Sequence, residues 1–370
     1  MKFSTSKTEL QNALQKLSKA TPTRSTLPIL GCVLIDSNEE KTTLRSTDLE
    51  ITIQVEISVS LEDAGSTAVP LKTLLHITNE LPDTRLTLSS DDKNKVEIKT
   101  DNGEYDLMAK PPDEFPASPE IEKAQKIDVS GLIFKKIISS TAFAVSRDEL
   151  KPALTGVLFR VKNTGVTAVA TDGHRLVKYS RTDFNSNGFV GDVIIPRKFL
   201  SFMLTQLSDE KIELLIGKNH ISAKMGNDLV ITRIIDERFP DYESVIPKDN
   251  HKTLKIEKES LLGAIKRVSI FSNKSTHQVA LNLESSLCKI TTEDPEKSSK
   301  AQEDVFAEYN GDPLTIGYNA EYLKDVVTHV DGENIIANFN TAISAALFSA
   351  ETNQENVENL MLLMPIRLND

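Results

Sequence analysis

Apolar and polar side chains alternate through Val166-Thr167-Ala168-Val169-Ala170, the period-two pattern of a strand with one buried face. Arg85-Leu86-Thr87-Leu88 and Lys211-Ile212-Glu213-Leu214-Leu215 alternate in the same way. Other stretches switch to a helical period. Leu10, Leu14 and Leu17 recur at four- and three-residue spacing, which places them on one face of a helix over about Lys7 to Lys19. Similar patterns predict helices over about Gly131 to Ser146 and Glu259 to Phe271.

These elements recur. Phe3, Val129 and Ile256 each open a short strand ahead of one of those helices, at steps of 126 and 127 residues. A Gly-centred strand is expected at Leu30-Gly31-Cys32-Val33-Leu34 and again at Thr155-Gly156-Val157-Leu158-Phe159. Val279-Ala280-Leu281-Asn282-Leu283 takes its place in the third copy. A second helix is expected to begin at Val69-Pro70-Leu71-Lys72, Ile195-Pro196-Arg197-Lys198 and Gly317-Tyr318-Asn319-Ala320. Proline suits the first turn of a helix, where its missing N–H has no helical partner to lose. Glu114-Phe115-Pro116 and Arg238-Phe239-Pro240 close the first two copies, and the connectors near 117–126 and 247–252 are polar and contain proline. The pattern predicts three domains, 1–124, 125–250 and 251–370. Each is of α+β class, with two helices packed on antiparallel sheets.

Thr171-Asp172-Gly173-His174-Arg175-Leu176 follows the alternating strand. Asp172-Gly173 is a turn dipeptide, so an imidazole and a guanidinium sit at a strand end beside an apolar residue. Asp, His and Arg together suit acid–base or phosphoryl chemistry, which makes a hydrolase one candidate. The same place recurs as Thr47-Asp48-Leu49-Glu50 and Glu293-Asp294-Pro295-Glu296, at steps of 124 and 122 residues, without the His and Arg. A capped turn carrying a specialised surface in the middle copy accounts for that better, and no nucleophile or metal-ligand cluster accompanies His174.

Composition narrows the classes. The chain has 370 residues, 39% apolar and 26% charged, and its two cysteines, Cys32 and Cys288, form neither a metal motif nor a disulfide framework. No apolar run is long enough to span a membrane, and the N-terminus lacks the order of a signal peptide, so a cytoplasmic protein is expected. The net charge of −11 argues against nucleic acid, but the average hides a segregation. Over 7–19, 71–80, 131–147, 197–207, 259–274 and 319–330 there are thirteen basic and five acidic residues, a net of +8, which leaves −19 for the rest. Helix propensity favours Lys and Glu alike, so it does not explain the deficit of Glu. Helices facing a polyanion would. A repeat scaffold that binds only proteins is the remaining alternative.

Thr26-Leu27-Pro28-Ile29-Leu30-Gly31, Thr47-Asp48-Leu49-Glu50, Ala170 to Leu176, Ile195-Pro196-Arg197-Lys198, Arg238-Phe239-Pro240-Asp241-Tyr242 and Met364-Pro365-Ile366-Arg367-Leu368 stand in one order along the chain. In that order the chain resembles the bacterial sliding clamps, the beta subunits of DNA polymerase III, over essentially its whole length. The resemblance implies a head-to-tail homodimer of six similar domains, closed as a ring around duplex DNA with helices lining the hole. It implies a processivity factor of DNA replication with no catalytic residue, cofactor or metal.

A peptide-binding pocket would include Leu154, Thr171, Gly173, His174, Arg175, Leu176, Pro240, Val245, Ser344, Leu362, Met364, Pro365, Ile366, Arg367 and Leu368. In it, Leu, Met, Pro and Val would form an apolar groove, with His174 and the arginines as a polar rim. The implied partners are short linear motifs of the polymerase III alpha subunit, the clamp loader delta subunit, other polymerases and repair proteins. Sequence-blind phosphate contacts would come from Arg24, Arg147, Lys151, Arg197 and Lys198, with a solvated loop charge as the lesser alternative for Arg24. Tyr105 and Leu107 of one copy would meet Ile270 and Phe271 of the other, unless the latter two belong to a core. Glu243-Ser244 and the terminal Asn369-Asp370 depart from the family pattern and would alter motif preference.

Overall fold

The computed structural model describes residues 1–368; the Asn369-Asp370 extension lies outside the described residues. The chain forms two compact units. One comprises Met1–Leu132 with Ser201–Ile234, the other Ile133–Leu200 with the chain from Ile235 onward.

The first unit holds two antiparallel sheets. A five-stranded sheet runs from Ser60–Asp63 at one edge to Glu104–Met108 at the other. An eight-stranded sheet runs from Gln125–Ser130 to Gly65–Pro70. In its middle, Asp228–Arg233 pairs with Ile51–Ile57, with Thr52 opposite Ile231. Helices α1 (Lys7–Leu17) and α2 (Leu71–Glu80) pack together in this unit. The Ser6 hydroxyl accepts from the Glu9 N–H at 3.1 Å and caps α1. Leu10, Leu14 and Leu17, the expected stripe, are fully buried.

Helix α3 (Gly131–Thr141) begins in the first unit, and α4 (Arg197–Gln206) follows the strand that ends at Pro196. The second unit has a twelve-stranded antiparallel sheet, from Gly191–Pro196 at one edge to Leu314–Asn319 at the other. Arg175–Arg181 pairs with Val357–Leu363 within it. Helices α5 (Lys258–Ser269) and α6 (Ala320–His329) pack together here, and the Asn319 side chain caps α6.

Three expectations need correction. The strand expected from Leu30 starts at Cys32, because Pro28–Gly31 winds into a 3₁₀ turn with the Cys32 N–H on the Ile29 carbonyl. Pro152–Leu154 does the same ahead of Gly156–Lys162, since proline supplies the turn's φ without needing an N–H partner. The helix expected to reach Ser146 ends at Thr141 and tightens into a 3₁₀ turn over Ala142–Ala144. There the Thr141 hydroxyl bonds back to the Ile137 carbonyl at 2.8 Å, a bond that competes with regular helix.

Candidate functional site

The turn after Thr171 is built by two side chains. The Thr171 hydroxyl donates to the Arg175 carbonyl and accepts the Gly173 N–H, and one Asp172 oxygen accepts the N–H groups of His174 and Arg175 at 2.9 and 3.0 Å. Thr47 and Asp48 make the same four bonds around Leu49, Glu50 and Ile51. The two turns are one structure. Its tightest position has φ of +91° at Gly173 and +77° at Leu49, so the first copy carries a leucine in glycine territory. The third copy is built otherwise. Asp294 is buried in strand Leu287–Asp294 and accepts from the Asn273 amide, and the reversal is a 3₁₀ turn over Pro295–Lys297. Turn capping therefore holds for Asp48 and Asp172 and fails for Asp294, which stays in the ladder opposite Ser299 while the 3₁₀ turn makes the reversal.

Leu176 lies opposite Leu362, which lies opposite Leu347 on the next strand. Leu176 and Leu362 join Leu158, Val169, Ile194, Tyr242 and Ala345 in one apolar cluster, with Ala153, Ile235, Phe239, Ile246 and Leu347 half-buried around it. That margin is an apolar surface only half covered by the chain. The Met364 N–H donates to the His174 carbonyl at 2.8 Å at one end, and the Met364 side chain remains 42% exposed. Val245, 57% exposed, follows Tyr242 in a 3₁₀ turn, and Pro240 is exposed beside Phe239. Arg160 holds Tyr242 in place through its hydroxyl at 3.2 Å and by stacking over the ring at 5.4 Å.

Leu154 is buried at the end of its 3₁₀ turn, and Ser344 closes a tight turn on Thr341. The last candidates lead elsewhere. Ile366 bridges to Gly317, its N–H on that carbonyl at 2.9 Å, and Leu368 packs against the same glycine, while Arg367 is exposed. Pro365 lies half-buried between these two attachments.

Arg175 is not a rim residue. It is only 8% exposed, with Nε on Asp172 at 3.1 Å, Nη2 on the Phe143 carbonyl at 2.8 Å and Nη1 on Asp325. The Phe143 and Tyr322 rings cover its guanidinium at 5.4 and 4.7 Å. His174 is exposed and stacks on Tyr322 at 5.7 Å. The Asp172 carboxylate is committed to two backbone N–H groups and Arg175, so it does not orient the His174 imidazole. The acid–base pair a hydrolase would need is not assembled.

Beside this network lies a polar cavity of about 710 Å³. Three of the expected phosphate contacts, Arg147, Lys151 and Arg197, line it, facing Asp325, Glu321 and Tyr322. Lys198 is on α4 but outside the lining, and Arg24 is exposed in the loop before Pro28. The helical charge excess is smaller in effect than its count. Lys16 pairs with Asp228 and Lys136 with Asp331, each at 2.6 Å, Lys324 pairs with Glu321, and Arg267 pairs with Glu303. Asp325, Tyr322 and Phe143 carried no sequence signal beyond their place in a predicted helix.

Tyr105 and Leu107 belong to the edge strand Glu104–Met108, which pairs on one side only. Ile270 is 77% exposed and Phe271 is also exposed, which removes the core alternative for both. Phe271 is tied by its carbonyl to Ser299, where strand Ser299–Asn310 begins. Over Ser299–Phe306 that strand also pairs on one side only, and Phe306 is 74% exposed. No helix of the described residues is long and apolar enough to cross a membrane.

Family models for the N-terminal, central and C-terminal domains of the DNA polymerase III beta subunit match residues 1–119, 128–241 and 243–367. The beta sliding clamps of Proteus mirabilis and Pseudomonas aeruginosa are each 30% identical to this chain, with 100% of both partners covered. The solved Bartonella birtlesii sliding clamp, bound to griselimycin, superposes over 100% of both chains with a TM-score of 0.93 at 28% identity. The chain belongs to the DNA polymerase III beta subunit family, the beta sliding clamps.

Proposed function

We propose that two copies of this chain close head to tail, each through its domains 1–124, 125–250 and 251–370, and hold duplex DNA by enclosing it. Family membership makes the chain a non-catalytic processivity factor of DNA replication, with DNA, a polymerase and a second copy of itself as general partners.

One observation carries the closure. The repeat joins itself twice within the chain in the same way, Ile51–Ile57 to Asp228–Arg233 and Arg175–Arg181 to Val357–Leu363. One edge of each kind is left over, at Ser299–Phe306 and at Glu104–Met108. Unpaired edges invite strand addition, and a head-to-tail contact that closes satisfies both in every copy. Aligning the repeats places Leu107 of one copy opposite Ser299 of the other and Asp106 opposite Lys300. Ile270 and Phe271, which adjoin Ser299, then cover Tyr105 and Leu107.

The groove around Leu176, Leu362, Val245, Pro240 and Met364, bordered by Leu154, Thr171, Gly173, His174 and Ser344, docks short linear motifs. Their sources are the polymerase III alpha subunit, the clamp loader delta subunit, other polymerases and repair proteins. Pro365, Ile366, Arg367 and Leu368 extend it towards Gly317. Arg24, Arg147, Lys151, Arg197 and Lys198 meet phosphates without reading sequence, and the protein works in the cytoplasm.

The test is topological. The loaded protein stays on nicked circular plasmid and leaves when the plasmid is linearised, and its solution mass is twice 40.9 kDa. Equal retention on linear and circular DNA, or a strict monomer, overturns the reading.

A further inference from the structure

We propose that Asp325, on α6 and outside the groove, is a positioning residue for peptide docking that acts through Arg175; the inference rests on the docking role of the groove. Successive residues of a strand face opposite sides. Leu176 turns into the apolar cluster of the groove, while Arg175 turns into the polar network behind it.

That network sets the groove's wall. Arg175 draws together three separate segments: the Asp172 turn, the Phe143 carbonyl after α3, and Asp325 on α6. Asp172 in turn fixes the N–H groups of His174 and Arg175, and the His174 carbonyl holds the Met364 N–H at the groove's lip. A guanidinium is a planar fork that serves several acceptors at once, which a lysine ammonium on a flexible stem does not reproduce. Asp325 is the network's carboxylate contributed by α6, and it is half-exposed, so changing it leaves the core and the groove surface untouched. Without it, a nearly buried guanidinium loses one of its two carboxylates and reorients towards solvent. The turn and the lip lose their anchor with it.

The test is a titration of a fluorescein-labelled peptide carrying the clamp-binding motif of the polymerase III alpha subunit against the full chain. Asp325→Asn is expected to weaken binding about tenfold, in the range of coupling within one network. Arg175→Lys should do the same, and Asp325→Asn with Arg175→Lys should be no worse than either alone. Asp325→Glu, which keeps the carboxylate, should restore most of the affinity. Faster amide exchange at Gly173 to Leu176 and at Met364 in Asp325→Asn, with unchanged dimer mass, separates positioning from general destabilisation. Wild-type affinity in Asp325→Asn, or additive losses in the double variant, overturns the proposal while leaving the groove standing. A wild-type chain that does not bind the peptide overturns the docking role, and this inference with it.

Discussion

The Met364 N–H bonds the His174 carbonyl at 2.8 Å, and Arg233 makes the same bond to Glu50 at 3.0 Å. The two repeat junctions therefore share their ladder down to single hydrogen bonds, yet they present different side chains. At the first junction, Thr52 stands where Leu176 stands at the second, and Arg233 where Met364 stands. Arg45 covers the corresponding apolar patch, lying over Phe115 at 5.6 Å and donating to Ser118. The proposed docking thus depends on side chains set on a duplicated backbone.

Met364→Arg copies the first junction's solution into the second. The side chain is half-exposed and its backbone bond is kept, so the melting temperature should hardly change. Affinity for the alpha-subunit peptide should fall at least about tenfold, because an apolar anchor loses its pocket. Fluorescence anisotropy alongside thermal melting checks both halves of this expectation.

Arg147 and Arg197 reach the polar cavity from different elements. Replacing either with Ala should lower affinity for short duplexes of any sequence, and the slope of log K against log salt should fall by about 0.9 for each phosphate that is no longer neutralised. Lys136→Ala serves as the control. Its ammonium is already taken by Asp331, so the slope should stay where it was.

The threefold repeat was legible because hydrophobic period and turn chemistry repeat at one spacing, and spacing survives even where residues drift. Leu49 shows the limit of that reading: it occupies a positive-φ position that composition alone assigns to glycine. Arg175 shows another. Arg175 and Leu176 are both buried, on opposite faces of a sheet covered on both sides, so alternation cannot say which of them faces the groove. The partners that turned Arg175 inward, Asp325 and Phe143, are 150 and 32 residues away in the chain. Their pairing follows from how α6 and the end of α3 pack, which no local pattern records.

His329 stacks on Phe143 with ring centroids 3.8 Å apart, and its Nδ1 bonds the Asp325 carbonyl. Burial lowers its pKa below the usual 6.5, helped by Arg175 and Lys258 and opposed by Asp325. The unfolded chain then binds the proton more readily than the folded one. Stability from this site is present above the unfolded pKa and is lost as pH falls below about 6.5 towards the folded value. His329→Phe, which keeps the stack and removes the titration, should show a smaller drop in melting temperature between about pH 7.5 and 5.5 than the wild type.

Gly31 and Gly156 share a sequence pattern but sit one residue apart in the repeat, since Cys32 faces Pro70 as Gly156 faces Pro196, and only Gly156 is required. A Cβ on Gly156 would sit 2.6 Å from the Ile195 carbonyl oxygen and within 3 Å of Ile235 and Ile194. That carbonyl belongs to the neighbouring strand, where Val157 pairs with Ile195, so it cannot retreat without breaking the ladder. A Cβ on Gly31 meets nothing within 4 Å. Gly156→Ala should therefore cost about 1–3 kcal/mol, the usual penalty of overpacking. Gly31→Ala should be neutral or stabilise by up to about 1 kcal/mol, since it removes freedom from the unfolded chain. Urea unfolding of the two variants under identical conditions checks this, and equal midpoints would show that the Gly156 backbone can yield.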